Sequence, residues 1–117
     1  MAVSKPKCAK ERIILALDVD TIEEAEKLVA ELKDYVGFFK VGLQLQSFGF
    51  EASEMIKSYG SKVFYDMKFH DIPNTVARAS ANLVKRGIDF FDLHIKGGSK
   101  MMSATVKLAN ETAKRYG

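Results

Sequence analysis

The feature that most constrains the fold is a unit that occurs four times along the 117 residues. Each unit consists of a short apolar run, a polar turn, an amphipathic helical pattern and a glycine. The apolar runs are RIILALD, FFKVGLQL, KVFYDMK and DFFDLHI. Strands that alternate with helices in this way predict a parallel sheet with right-handed crossovers. The candidate architectures are an open doubly wound sheet and part of a (βα)8 barrel, of which four units make about half.

The predicted helices begin and end at recognisable signals. In the segment TIEE, Thr21 and Glu24 have the spacing of a capping box, which predicts the start of the first helix. We expect Gly37 to end that helix in a left-handed conformation. The other helices are predicted over about 48–59, 75–86 and 99–116, each with a glycine at its end.

Composition and charge exclude several classes of protein. The chain is 47% hydrophobic and 28% charged, with no apolar stretch of the ~18 residues that a membrane span needs. The basic N-terminus has no apolar segment behind it, and the single Cys8 fits a reducing compartment, so we expect a cytoplasmic protein. The net charge is +3, but the lysines and arginines alternate with acidic residues along the helices. The sequence therefore predicts no nucleic-acid partner. The net charge would still attract a small anionic substrate.

Polar side chains stand where the apolar runs end. They are Asp18, Lys40, Asp66, Lys68, Asp92 and His94. Because residues i and i+2 of a strand share a face, Asp66 and Lys68 are predicted to point the same way. If that face is a barrel interior, Lys40 converges with them at one mouth, and Asp71 lies just beyond on the following loop.

Two interpretations of this charged set compete. Burying ions costs several kcal/mol each unless they pair well, and structural salt bridges also occupy strand ends. An alternating set of two lysines and two aspartates, however, places an ammonium beside a carboxylate in a site of low dielectric constant. That arrangement suits a reaction that forms a carbanion and protonates it at once, with lysine as the proton donor.

Three segments, LALD, FKVG and above all DMKFHDIPNT, resemble orotidine 5'-phosphate decarboxylases of the bacterial type. The resemblance runs from about Arg12 to the end of the chain and covers the N-terminal half of the family's barrel. It implies an α/β fold that is the (βα)4 half of a TIM (βα)8 barrel, with parallel strands and outer helices. We therefore assign residues 12–117 to a half-barrel and residues 1–11 to a basic tail.

The resemblance also implies a reaction and roles for individual residues. It implies decarboxylation of orotidine 5'-monophosphate to uridine 5'-monophosphate in pyrimidine biosynthesis, a carbon–carbon lyase reaction. Lys68 would protonate C6 of the pyrimidine, and Asp66 would lie against the departing carboxylate and hold Lys68. Asp18 and Lys40 would bind ribose hydroxyls, with Lys40 also closing the charge network.

The family works as a dimer with shared sites, which implies a role for the loop after the third strand. Asp71, Ile72 and Thr75 would reach into the neighbouring subunit's site, so that Asp71 joins Lys40, Asp66 and Lys68 in the catalytic set. The resemblance implies no metal and no organic cofactor. We expect the chain to associate as a homodimer or with a C-terminal half, which in this family carries the phosphate-binding residues.

Two other functions stay open. The chain could be an inert structural fragment that folds and dimerises without turnover. It could also be a phosphosugar epimerase or aldolase-like barrel, in which His94 binds a metal with Asp92 or Asp66. The competing interpretation of His94 is a satisfied core histidine, because its position predicts burial. The phenylalanines in and beside the apolar runs are likewise predicted to form core.

Overall fold

The alternation of strands and helices is confirmed in the computed structural model, which describes residues 5–117. The strands are β1 (Ile14–Ala16), β2 (Phe38–Val41), β3 (Lys62–Phe69) and β4 (Phe90–Leu93). The helices are α1 (Ile22–Leu32), α2 (Glu51–Ser58), α3 (Pro73–Lys85) and α4 (Gly98–Tyr116). Short 3-10 helices cover Lys10–Arg12, Leu43–Phe48 and Ile95–Gly97.

The strands form one parallel sheet in the order β1-β2-β3-β4. In the register of β1 and β2, Ala16 lies opposite Lys40, and in that of β2 and β3, Lys40 lies opposite Phe64. The described chain divides into two compact units, of which the first ends at Asp66 and the second begins at Met67. Strand β3 therefore contributes residues to both units.

The core of the first unit follows the alternation of its strands. It is formed by Leu17 after β1, Phe39 and Val41 of β2, Val63 and Tyr65 of β3, Ala25 and Val29 of α1, and Ala52 and Ile56 of α2. Because successive strand residues face opposite sides, Phe38, Lys40 and Phe64 lie on the other face and are only half-buried. Of the phenylalanines predicted to form core, Phe39 alone is fully buried among the described residues.

Helix α1 begins as predicted but ends earlier. The Thr21 hydroxyl accepts a hydrogen bond from the Glu24 N–H at 3.2 Å, while the Glu24 carboxylate accepts one from the Asp20 N–H at 3.3 Å. The reciprocal half of the capping box thus reaches one residue before the cap. The helix ends at Leu32, whose carbonyl accepts the Tyr35 N–H at 2.9 Å in a following turn.

The prediction that Gly37 ends α1 is wrong, because Gly37 is not among the glycines with positive φ. Its lack of a side chain serves a close approach instead. A Cβ at this position would lie 2.7 Å from the Glu11 Cα and 3.0 Å from the Lys10 carbonyl oxygen. The left-handed conformation expected of helix-terminating glycines occurs at Gly60 and Gly87, with φ of 76° and 71°.

The core of the second unit lies between α3 and α4. Its buried side chains are Val76, Ala77, Ala81 and Leu83 of α3, Ile88 before β4, and Met101 and Thr105 of α4. The buried Thr105 hydroxyl donates to the Met101 carbonyl at 2.8 Å, so this polar group has a partner inside its own helix. No helix in the described part of the chain is long and apolar enough to cross a membrane.

Candidate functional site

In the first unit, the structure brings Lys40 and Asp66 together. The Lys40 Nζ lies 3.2 Å from the Asp66 Oδ2, and the two side chains are 26% and 10% exposed. Both residues owe this placement to strand parity, since Phe39 and Val41 on either side of Lys40 are buried on the opposite face. A carboxylate this buried is stable only with a good partner, and the ammonium supplies one.

Asp18 lies two residues beyond the end of β1 and is exposed. The preceding Leu17 is buried, and its N–H donates to the Lys40 carbonyl at 3.0 Å, which fixes the chain just before Asp18. The loops after β1 and β2 are joined by a hydrogen bond from the Gln44 amide to the Asp20 carboxylate at 3.2 Å. This link between neighbouring loops was not predicted from the sequence.

In the second unit, Lys68 has an unusual backbone. Its φ is 50°, the only positive φ at a non-glycine residue in the range 5–117. The side chain is exposed, and the backbone N–H donates to the Asp92 Oδ1 at 2.8 Å. The prediction that Asp66 and Lys68 share a face assumed extended backbone at both residues, and that assumption is wrong for Lys68.

The end of β4 carries Asp92 and His94, both half-buried. The His94 N–H donates to the Phe69 carbonyl at 2.9 Å, and the His94 Nδ1 accepts the Lys96 N–H at 3.2 Å. The His94 ring also stacks on that of His70, with centroids 4.8 Å apart and planes 17° apart. The predicted burial of His94 is therefore wrong: the residue lies at the sheet's edge, and its Nδ1 is occupied as an acceptor.

The loop after β3 and the first turn of α3 carry Asp71, Ile72 and Thr75, and all three are exposed. The Asp71 carboxylate accepts the Ile72 N–H at 2.6 Å. Ile72 is the N-terminal cap residue of α3, 66% of its surface is exposed, and its carbonyl accepts the Thr75 N–H at 3.1 Å. Pro73 follows in the first turn, where a missing N–H costs nothing.

The structure thus places the predicted residues in three groups. Lys40 pairs with Asp66 in the first unit, Lys68 is held by Asp92 in the second, and Asp71, Ile72 and Thr75 form an exposed edge at the start of α3. In the sequence, Asp92 is a polar residue in an apolar run, and its one suggested role is that of a metal ligand with His94 in the alternative function. Within the described residues, no group of three or more histidine, cysteine or acidic side chains is arranged to hold a metal ion.

Comparison with known proteins adds a family to this geometry. Residues 11–116 match the family described as orotidine 5'-phosphate decarboxylase / HUMPS. The orotidine 5'-phosphate decarboxylase of Heliobacterium modesticaldum is 49% identical over 104 residues, which are 88% of this chain and 43% of that protein. The enzyme of the same name from Carboxydothermus hydrogenoformans is 48% identical over 110 residues, 92% of this chain and 45% of that protein.

Solved structures give the same picture of the fold. The orotidine 5'-monophosphate decarboxylase of Methanocaldococcus jannaschii superimposes with a TM-score of 0.76 at 34% identity, over 85% of this chain and 49% of that one. The orotidine 5'-phosphate decarboxylase of Lactobacillus acidophilus gives 0.75 at 38% identity, over 86% and 46%.

These neighbours are TIM barrels, and the chain spans somewhat under half the length of the relatives it matches. Its four parallel strands and their helices correspond to about half of such a barrel, as the family resemblance implied. With nearly the whole chain matched, it belongs to the orotidine 5'-phosphate decarboxylase / HUMPS family.

Proposed function

We propose that this chain carries the charged strand-end residues of a decarboxylase that converts orotidine 5'-monophosphate to uridine 5'-monophosphate. The observation that carries the proposal is the Lys40–Asp66 ion pair at a strand end, in a chain of this family. A nearly buried carboxylate fixed by an ammonium is suited to lie against a substrate carboxylate and disfavour it. Loss of carbon dioxide relieves that repulsion, so the interaction lowers the barrier to decarboxylation.

Breaking the bond between C6 and the carboxylate leaves an electron pair on C6 of the pyrimidine. In our proposal the Lys68 ammonium donates its proton to that carbon, which completes uridine 5'-monophosphate. General acid catalysis of this kind typically contributes about 10²–10⁴-fold to a rate. In this proposal the replacement of the carboxylate by a proton needs neither a metal nor an organic cofactor.

The remaining residues bind the substrate in this proposal. Asp18 and Lys40 contact the ribose hydroxyls. The exposed edge formed by Asp71, Ile72 and Thr75 completes the site of a second subunit, which makes the working unit a dimer. The assignment requires this edge to be accessible, and Ile72 presents an apolar side chain with 66% of its surface uncovered.

The test is the loss of orotidine 5'-monophosphate absorbance on addition of the 117-residue chain, alone and mixed with the C-terminal half of the Carboxydothermus relative. Lys68→Ala should abolish the turnover observed with the unaltered chain. Lys62→Ala is the matched control, because it removes an exposed lysine from the other end of the same strand. Turnover that survives in Lys68→Ala would refute the assigned role of Lys68. The absence of turnover both with the chain alone and with the mixture would refute the proposed function.

A further inference from the structure

Lys68 occupies a backbone conformation that its residue type disfavours. A side chain with a Cβ is strained at φ near 50°, and single residues in this region persist only when their surroundings hold them there. Lys68 lies one residue before the end of β3, where its neighbours Met67 and Phe69 belong to the strand. A contact with a neighbouring part of the structure must therefore compensate for the departure of Lys68 from extended backbone geometry.

The contact is the carboxylate of Asp92. Its Oδ1 accepts the Lys68 N–H at 2.8 Å, and a hydrogen bond to an ionised acceptor is about twice as strong as one between neutral groups. Asp92 reaches Lys68 from β4, while the His94 N–H, two residues further along the same strand end, donates to the Phe69 carbonyl at 2.9 Å. The two bonds hold consecutive residues of β3, one through its N–H and the other through its carbonyl.

We propose that Asp92 is a positioning residue for Lys68. Its carboxylate holds the left-handed backbone of Lys68 and thereby sets the direction in which the lysine side chain leaves the strand. The proposal rests on the proposed function for its catalytic meaning, since Lys68 is there the proton donor. The backbone contact itself can be tested without any turnover.

The test separates the hydrogen bond from the charge by comparing two substitutions. Asp92→Asn keeps a carbonyl oxygen that can accept the Lys68 N–H, whereas Asp92→Leu keeps a similar volume and removes the acceptor. Glu111→Leu is the control, because it removes an exposed carboxylate from α4 of the same unit. Amide hydrogen exchange at Lys68 in the ¹⁵N-labelled chain measures the bond, and the Lys68 Cα chemical shift reports its backbone conformation.

We expect exchange at the Lys68 amide to accelerate about tenfold or more in Asp92→Leu, with a Cα shift toward extended values. Asp92→Asn and Glu111→Leu should stay within about threefold of the unaltered chain, on the same scale of hydrogen-bond strength. Equal exchange in Asp92→Leu and the unaltered chain would overturn the proposal. Equal acceleration in Asp92→Asn and Asp92→Leu would overturn it too, because the charge and not the acceptor would then matter.

If Asp92→Leu does not fold, the same comparison is made in a Lys68→Gly background. Glycine adopts positive φ without strain, so Asp92→Leu should destabilise that background less than it destabilises the chain with Lys68. A failure of Asp92→Leu to fold in the Lys68→Gly background as well would contradict the proposal.

Catalysis provides a separate readout. In a mixture that decarboxylates, Asp92→Leu should lower kcat with little change in KM, and Asp92→Asn should restore it. An unchanged kcat in Asp92→Leu would overturn the catalytic meaning of the contact. If no mixture decarboxylates, the proposed function fails, and the exchange experiment still decides whether Asp92 holds Lys68.

Discussion

Asp66 and Lys68 stand two positions apart in the sequence, yet the structure fixes them by different means. Asp66 is held through its side chain, in an ion pair with Lys40 that leaves the carboxylate 10% exposed. Lys68 is held through its backbone N–H by Asp92, and its side chain is exposed. In the proposed reaction a carboxylate has to stay still while an ammonium gives up a proton. The ion pair with Lys40 fixes the charged end of Asp66, whereas the bond from Asp92 fixes only the main chain of Lys68. The two contacts thus suit the two roles.

The largest effect should come from breaking the side-chain contact. Lys40→Met removes the Lys40 ammonium from the Asp66 carboxylate, and we expect a loss of about 2–3 kcal/mol in the free energy of unfolding. The value is below that for fully buried pairs because the Lys40 side chain is 26% exposed. Urea denaturation at fixed protein concentration measures it.

Two further variants sharpen this prediction. Lys27→Met removes an exposed lysine from α1 of the same unit and should change stability little. The double variant Lys40→Met with Asp66→Leu should recover much of the loss, because it removes the carboxylate together with the ammonium. A double variant as unstable as Lys40→Met alone would mean that the ion pair is not what makes the single substitution costly.

A smaller effect should come from relieving the backbone at Lys68. Lys68→Gly should be more stable than Lys68→Ala by about 1 kcal/mol, because glycine tolerates a φ of 50° and alanine does not. Lys62, which lies in the same strand without a positive φ, supplies the matched pair. There the order should reverse, with glycine less stable than alanine in a regular strand. Thermal or urea unfolding of the four variants tests both orders, and alanine above glycine at position 68 would argue against strain.

The smallest effect concerns the exposed side chains of Tyr59 and Glu26, which contrast with the more buried pair of Lys40 and Asp66. The Tyr59 hydroxyl donates to the Glu26 carboxylate at 3.0 Å, and this hydrogen bond raises the pKa of Tyr59 above its usual value of 10.0. Because the folded pKa is the higher one, the bond stabilises the fold at neutral pH. Its contribution disappears as the pH rises from about 10 through the folded pKa.

Comparing the unaltered chain with Tyr59→Phe at pH 9 and at pH 11 tests this. The stability advantage of tyrosine should shrink at the higher pH. A difference between the two proteins that does not change with pH would show that the bond to Glu26 contributes nothing in solution.

The comparison also explains what the sequence could predict. The four strands and helices follow from apolar periodicity and from local caps such as Thr21, which act over a few residues. The meeting of Lys40 with Asp66 follows from strand parity once the sheet is parallel. Both features depend on the regular repeat of helices and strands. That repeat appears in the sequence as a periodic pattern of apolar residues.

The conformation of Lys68 could not be predicted in this way. Lysine has no preference for the left-handed region, and the group that compensates, Asp92, is 24 residues away. The prediction for Gly37 was wrong because glycine after a helix commonly ends that helix. Here the close approach of Glu11, from earlier in the chain, is what requires a residue without a side chain. Tertiary contacts of this kind override local preference and leave no periodic trace.

The close approach at Gly37 has a consequence for how sequence change is tolerated. The space that a methyl group would need there is filled by the main chain at Lys10 and Glu11, where a short 3-10 helix passes. Alanine at position 37 is therefore unfavourable only while that helical turn keeps its path. A lineage that rerouted the turn would be free to accept larger residues at 37, and the two changes would have to arise in that order.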